Sequence, residues 1–290
     1  MTPRDGSDVH DNRWSDLDRP PLAQAGLRRS LVRGDGLWSS VEVVPRTGST
    51  NTDLVARAAS GAAKEGAVLV AEEQSAARGR LDRRWTAPPR SGLFFSVLVK
   101  PGEHEVPVER WGWLPLLAGV ALATGLSASA GVDTGLKWPN DLLLTVDGEE
   151  RKAAGILAER AGADSVVVGI GLNVTLRADE LPVPTAGSLA LAGAKMTDRE
   201  PLLRAVLRSF ERWYLRWCAA EGDPVLSGLQ ETYAAGCATL GRSVRAMLPG
   251  DRDLVGEAVA VDGDGRLVIA GADGGREAVG AGDIVHLRPA

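Results

Sequence analysis

The feature that most constrains the fold is a run of 22 residues without a charged side chain, from Trp111 to Val132. A helix of this length could cross the hydrocarbon core of a membrane. The run is, however, rich in Ala, Gly, Ser and Thr, contains Pro115, and lies between two polar motif regions that must meet on one side of the fold. We therefore predict a buried core helix of a soluble protein.

Charge and cysteine content argue against several classes of protein. The chain of 290 residues has a formal net charge of −5, which gives no general attraction to nucleic acid or anionic lipid. Its two cysteines, Cys218 and Cys237, are too few for a disulfide framework or a cysteine-based metal site, and we expect reduced thiols. The first residues lack the basic segment and apolar core of a secretory signal. These features predict a cytoplasmic protein that binds neither nucleic acid nor membrane.

The hydrophobic pattern divides the chain into three parts. Residues 1–36 are rich in Asp, Arg, Pro and Gly, which predicts a disordered or partly helical segment, so that trimming residues 1–30 should leave activity intact. Residues 37–238 mix predicted strands and helices and form the expected catalytic domain. Residues 239–290 consist of short apolar segments separated by Asp-Gly turns, which is typical of a small β-barrel.

Polar residues stand at the ends of the predicted elements. The predicted strands are VEVVP, AVLVAEEQ, LFFSVLVK and SVVVGIGLNV, together with a hairpin whose turn is Asp147-Gly148. A helix capped by Ser49, Thr50 or Asn51 follows the first strand, and Gln74 ends the second. Nucleophile–histidine catalysis and histidine–metal sites are poorly supported, because the three histidines, His10, His104 and His286, are scattered along the chain.

A long loop after the second strand concentrates cations beside an aromatic ring. Its charged and aromatic members are Arg78, Arg80, Arg83, Arg84 and Trp85. Guanidinium groups suit phosphate oxygens, and an indole can stack on a base or shield a site from water. A solvated charge run is the alternative. The prolines and glycine that follow could hinge such a loop as a flap.

Two other motifs also have two interpretations each. Lys137-Trp138-Pro139-Asn140-Asp141 is either an ordinary turn or a site that pairs a cation with a carboxylate. Lys152 in the apolar segment KAAGIL is either a charge that protects an edge strand or a ligand for phosphate or carboxylate. Together with the groups above, they predict a pocket for a small acid and a nucleotide phosphate.

The order of these motifs resembles that of biotin protein ligases. The resemblance covers about Leu37 to the end and rests on the segments Gly48–Asn51, Gln74–Trp85, Lys137–Leu142, Lys152–Leu157 and Gly169–Asn173. It implies an α+β fold, with a class II synthetase-like catalytic domain built on a mixed sheet with helices and a small C-terminal SH3-like β-barrel. It also implies a monomer or a ligand-dependent homodimer.

The resemblance further implies a two-step reaction. Biotin attacks the α-phosphate of ATP, whose triphosphate carries Mg²⁺, to give biotinyl-AMP, and a lysine of an apo biotin carboxyl carrier domain then accepts the biotin. No metal site of the protein itself is expected. By analogy Arg80 and Lys152 are catalytic, and the residues expected to bind biotin or the adenylate are Ser49, Thr50, Asn51, Gln74, Arg78, Gly79, Arg80, Trp85, Lys137, Asp141, Lys152, Gly155, Gly169, Gly171 and Asn173.

The loop departs from the family pattern GRGRxGRxW, because Ala77 and Asp82 stand where that pattern has glycine. A positive φ at either position would cost about 1–2 kcal/mol. Fewer than 40 residues precede the catalytic region, so no DNA-binding repressor function is expected. Alternative functions are a lipoate or octanoate ligase or transferase, a nucleic-acid-binding regulator that uses the arginine loop, and a biotin sensor without turnover.

Overall fold

The computed structural model describes residues 18–80, 83–248, 250, 252–280 and 282–287. The strands of the main sheet are β1 (Ser40–Val44), β2 (Ala67–Ala71), β3 (Gly92–Val99), β4 (Thr134–Lys137), β5 (Asp141–Val146), β6 (Glu149–Arg160) and β7 (Val166–Asn173). Within the described residues this sheet has the order β1-β2-β3-β7-β6-β5-β4. Strands β1 and β2 are parallel and the other neighbours are antiparallel. The predicted mixed sheet is confirmed.

Helices cover both faces of this sheet. They are α1 (Gln24–Leu31), α2 (Thr50–Ala59), α3 (Leu114–Ala130), α4 (Arg199–Ala219) and α5 (Leu229–Gly236), with 3₁₀ turns at Pro101–His104, Val108–Trp113 and Ala178–Glu180. In β7, Val168 packs into the large core that contains α3 and α4, whereas its neighbour Val167 packs with Leu54 of α2. The alternation follows from the two-residue period of a strand, and it explains why the inner strands are apolar throughout.

The uncharged run forms the central helix of the core, as predicted. Among the described residues, the stretch Val108–Ala130 is long and apolar enough to cross a membrane, but 67% of its most apolar window is buried inside the fold. Leu117, Ala121 and Leu122 of α3 are fully buried. Gly125 lets α4 come close, because a Cβ there would lie 2.9 Å from the Cα of Val206.

The hairpin of β5 and β6 turns at the predicted dipeptide. Asp147 and Gly148 both have positive φ, 52° and 80°, which is the conformation of the tight turns that join twisted antiparallel strands. Strand β6 lies between β5 and β7 and is therefore interior to the sheet. The interpretation of Lys152 as an edge-strand charge is thus wrong.

The C-terminal segment forms a second sheet, as predicted for a small barrel. Its strands are β8 (Ser243–Leu248), β9 (Arg252–Val261), β10 (Leu267–Ala270), β11 (Arg276–Val279) and β12 (Asp283–His286). In the described part of the chain their order is β11-β10-β9-β8-β12, and all pairs are antiparallel. Val244 and Leu267 belong to the same hydrophobic cluster as the core of the main domain. The hydrophobic core is therefore continuous between the two sheets. We propose that the domain boundary nevertheless lies between residues 238 and 239.

The described part of the N-terminal segment packs against the main domain. The short helix expected in residues 1–36 is α1, whose Leu27 and Leu31 are 0% and 1% exposed and belong to the main core. Residues 1–17 lie outside the described residues. For residues 18–36 the structure shows an ordered, partly helical segment instead of disorder. Because removal of residues 1–30 would take Leu27 out of the core, we now expect it to destabilise the fold.

Candidate functional site

One cavity of about 450 Å³ collects the predicted site residues. It lies between the N-terminus of α2, strands β6 and β7, the arginine loop and the barrel. All of the residues predicted to bind or to catalyse line it, namely Ser49, Thr50, Asn51, Gln74, Arg78, Gly79, Arg80, Trp85, Lys137, Asp141, Lys152, Gly155, Gly169, Gly171 and Asn173. Motifs that are far apart in the sequence therefore meet at one site.

The start of helix α2 forms a polar wall. Ser49 caps the helix and accepts a hydrogen bond from Thr52 N. Gln74 Oε1 accepts hydrogen bonds from Thr50 N at 2.7 Å and Thr50 Oγ1 at 3.2 Å, so the end of β2 and the first turn of α2 are tied together. Ser49, Thr50 and Asn51 are at most 7% exposed.

Asn51 supports this wall through contacts within the protein. Its Nδ2 donates to Leu157 O at 3.1 Å and to Glu159 Oε2 at 2.8 Å, and its Oδ1 lies 2.6 Å from Ser96 Oγ. A Cβ on Gly169 would lie 2.0 Å from Asn51 Oδ1. Glycine at position 169 is therefore required for Asn51 to rest against strand β7.

Two other glycines give the indole of Trp85 a place against the sheet. A Cβ on Gly155 or Gly171 would lie 3.2 or 3.1 Å from atoms of the Trp85 ring. The Trp85 Nε1 atom is buried and has no hydrogen-bond partner among the described residues. Lys152 Nζ lies 5.7 Å from the ring centroid, within cation–π range. Trp85 thus occupies the floor of the cavity beside Lys152.

Among the cations that line the cavity are Arg80, Lys137 and Lys152. Lys152 Nζ lies 2.6 Å from Asp141 Oδ1 in an ion pair. Burial lowers the pKa of Lys137, against the opposing effect of Asp141. Burial likewise lowers the pKa of Arg80, against the opposing effects of Asp283 and Asp141. Desolvated positive charge of this kind would be stabilised by a bound anion.

The arginine loop folds back on itself as a short hairpin. Arg78 and Arg84 form an isolated antiparallel bridge, and Trp85 N donates to Ala77 O at 3.0 Å. Arg78 pairs with Glu159 at 3.1 Å at the cavity wall. The φ angle of Ala77 is not positive, so alanine in place of the family's glycine causes no strain there. Asp82 lies outside the described residues.

Sequence reasoning missed the contribution of the barrel and of one loop. The barrel adds Met247, Asp283, Ile284 and Val285 to the cavity lining, and the loop after β7 adds Pro182, Val183, Thr185 and Ala186. Asp283 forms an ion pair with Arg83 of the arginine loop. The two residues are 200 positions apart, and no local pattern signals such a contact.

Comparison with known proteins supports one family. The model of the biotin/lipoate A/B protein ligase family matches residues 43–173, and that of the biotin protein ligase C terminal domain matches residues 239–287. The chain is 44% identical over 274 residues to the biotin–acetyl-CoA-carboxylase ligase of Mycobacterium tuberculosis, a match that covers 93% of this chain and 97% of the relative.

A second relative and a solved structure agree with this assignment. The bifunctional ligase/repressor BirA of Bacillus spizizenii is 32% identical over 240 residues, covering 80% of this chain and 69% of the relative. The biotin protein ligase from Aquifex aeolicus in complex with biotin and ATP matches with a TM-score of 0.69 and 26% identity, covering 87% of this chain and 100% of that chain. The chain therefore belongs to the biotin protein ligase family.

Proposed function

We propose that the chain is a biotin protein ligase that activates biotin with ATP to biotinyl-5′-AMP and transfers biotin to a lysine of a biotin carboxyl carrier domain. The observation that carries this proposal is that Arg80, Lys137 and Lys152 line one cavity. The glycines of β6 and β7 and the polar start of α2 line the same cavity. The names of the Mycobacterium relative and of the Aquifex complex point to the same acid and nucleotide.

The arrangement suits the first half-reaction. Biotin carboxylate and the α-phosphate of ATP are both anions, so their approach requires fixed positive charge and hydrogen-bond donors at the reacting oxygens. Lys152 would contact the carboxylate and the phosphate, and Arg80 would stabilise charge on the phosphate oxygens. Displacement of Lys152 from Asp141 by the more highly charged nucleotide would then direct the ammonium towards the reacting atoms.

The second half-reaction requires that the adenylate survive until the carrier arrives. An acyl-adenylate hydrolyses when water reaches it, so the loop that bears Arg78 and Arg80 would close over the intermediate. Trp85 now covers Gly155 and Gly171, and we propose that it moves from this floor to the nucleotide as biotin enters. The carrier lysine would then attack the mixed anhydride and release AMP.

Mg²⁺ would arrive with the ATP triphosphate. Among the described residues, no group of three or more His, Cys, Asp or Glu side chains is arranged so that it could hold a metal ion. The carrier would be a biotin carboxyl carrier domain of a carboxylase such as acetyl-CoA carboxylase. We propose a cytoplasmic enzyme, monomeric or dimeric upon ligand binding, that acts without nucleic acid or membrane.

The test is ATP–pyrophosphate exchange by the purified protein with Mg²⁺, in which biotin is compared with lipoate and octanoate. Exchange that depends on biotin, followed by biotin transfer to an apo carrier domain, is the expected result. Exchange with lipoate or octanoate alone would reassign the acid. The absence of exchange with all three acids would contradict an adenylating function.

Replacement of Gly169 by Ala should weaken biotin binding at least about tenfold, because the new Cβ would displace Asn51 from β7 and disturb the start of α2. The measurement is the biotin affinity by titration calorimetry, with circular dichroism as a check of folding. Gly34→Ala is the matched control, since a Cβ at position 34 meets no atom within 4 Å. Equal affinities of the two variants would show that Asn51 does not set the biotin site.

A further inference from the structure

The turn at residues 137–141 receives support from the segment that leads into the barrel. In the described part of the chain, β4 is an edge strand of the main sheet, with β5 on one side. On its other side Ala238 N donates to Leu136 O at 2.8 Å, and Leu136 forms an isolated parallel bridge with Cys237. Residues 237 and 238 therefore take the place of a neighbouring strand up to the end of β4, just before Trp138.

The next contact in this row is a buried hydroxyl. Thr239 is 0% exposed, and its Oγ1 accepts a hydrogen bond of 3.1 Å from Trp138 N. The indole of Trp138 donates at 3.0 Å to Gly265 O, in the turn between β9 and β10. Both N–H groups of Trp138 are thus held by the C-terminal part of the chain, while Lys137 and Asp141 of the same turn line the cavity.

Behind Thr239 lies His286 of β12. Its Nε2 is 3.0 Å from Thr239 Oγ1, and its Nδ1 is 3.2 Å from Arg242 Nη1. Because a guanidinium can only donate, Nδ1 must accept, and the neutral ring must carry its proton on Nε2. Nε2–H then donates to Thr239 Oγ1, which accepts from Trp138 and His286 together. One tautomer and one ring orientation satisfy all of these contacts.

We propose that Thr239 and His286 are positioning residues that fix the backbone of Trp138 and thereby hold Lys137 and Asp141 in place for adenylation. The inference rests on the proposed function, since it assigns both residues to that step. They act through Trp138, because neither side chain belongs to the described cavity lining. Small displacements of a charged group in a site are costly, and about 1 Å can reduce a rate a hundredfold.

Burial and the neighbouring positive charges favour the neutral ring of His286, which the arrangement requires. Burial, followed by the positive charges of Lys137 and Arg242, lowers the pKa of His286 from 6.5 to about 4, against the opposing effect of Glu150. Between these two values the unfolded chain binds more protons than the folded chain. Stability should therefore decrease as the pH falls from 6.5 towards 4, and His286→Gln, which retains a donor and an acceptor but does not titrate, should reduce this decrease.

The decisive variants are Thr239→Val, which keeps the shape but removes the acceptor, and Thr239→Ser, which keeps the hydroxyl. In biotin-dependent exchange, at a temperature where all variants are folded, we expect Thr239→Val to lower kcat about tenfold while KM for biotin changes less than about threefold. Thr239→Ser should restore most of the rate. Thr124→Val is the control, because it removes a hydroxyl of α3 that donates to Val120 O outside the site.

The outcomes separate this inference from the proposed function. If the valine and serine variants had equal kcat values, the positioning role of Thr239 would be overturned. Biotin-dependent exchange by the unaltered protein would still support the proposed function. If the unaltered protein shows no exchange, the test is the NMR chemical shifts of the imidazole nitrogens of its three histidines. His286 in the Nε2–H form, neutral above about pH 5, supports the arrangement. A proton on Nδ1, or an ordinary pKa, overturns it.

Discussion

Replacement of Lys152 by Ala should lower the rate of biotin adenylation about 100-fold at saturating ATP and biotin. Lys152 lies in the interior strand β6, its ammonium faces the cavity, and its ion pair with Asp141 measures 2.6 Å. The variant would lack a cation at the point where two anions must meet, and the Asp141 carboxylate would remain there to repel the phosphate. The measurement is kcat for biotin-dependent ATP–pyrophosphate exchange.

Lys64→Ala is the matched control for this prediction, because Lys64 is an exposed lysine that does not line the cavity. A second comparison distinguishes the loss of the Lys152 charge, which attracts the phosphate, from the repulsion of the phosphate by Asp141. If repulsion by Asp141 contributes, the double variant Lys152→Ala, Asp141→Asn should exchange faster than Lys152→Ala alone. Unchanged kcat in Lys152→Ala would refute the catalytic role of Lys152, whatever the effect on KM.

The elements around the site could be predicted because each follows from a local rule. Because side chains alternate between the two faces of a strand, the residues of β7 pack into two different cores. The Asp147-Gly148 dipeptide supplies the positive φ angles of the turn between β5 and β6. Ser49 caps α2 as its side chain predicts. Because polar motifs stood at the ends of these elements, their meeting at one sheet could be expected from the sequence.

Contacts between distant segments could not be predicted in the same way. The pairing of Arg83 with Asp283 brings the barrel to the arginine loop, and each residue alone suggests only a solvated charge. The polar composition of the N-terminal segment indicated disorder, although Leu27 fills a place in the core. Trp138 shows the same limit, because its partners Thr239 and Gly265 belong to turns whose distance from the site depends on the docking of two sheets.

The second large effect concerns a buried ion pair at the base of the arginine loop. Arg199 Nη1 lies 2.6 Å from Glu72 Oε2, and the two side chains are 5% and 7% exposed. Arg199 also donates to Gly92 O and Pro20 O, while Glu72 accepts from Leu22 N. Glu72 precedes the loop and Gly92 follows it. The pair therefore joins both ends of the loop to the start of α4 and to the N-terminal segment.

Arg199→Met should lower the free energy of unfolding by about 3–5 kcal/mol, because it leaves the Glu72 carboxylate buried without its partner. Urea denaturation followed by tryptophan fluorescence measures this change. The control is Arg252→Met, whose ion pair with Glu277 is exposed on the barrel, and its cost should be below about 1 kcal/mol. Similar losses of unfolding free energy in the two variants would show that the buried pair contributes no more to stability than the exposed pair.

The double variant Arg199→Met, Glu72→Gln tests why the single change is costly. If the penalty comes mainly from the uncompensated carboxylate, neutralising Glu72 in the Arg199→Met background should recover about 1–2 kcal/mol, although Glu72→Gln alone destabilises the protein. Full recovery is not expected, because Gly92 O and Pro20 O would still lack the donors that Arg199 provides. Strict additivity of the two single changes would mean that Arg199 acts through these carbonyl contacts and not through its charge.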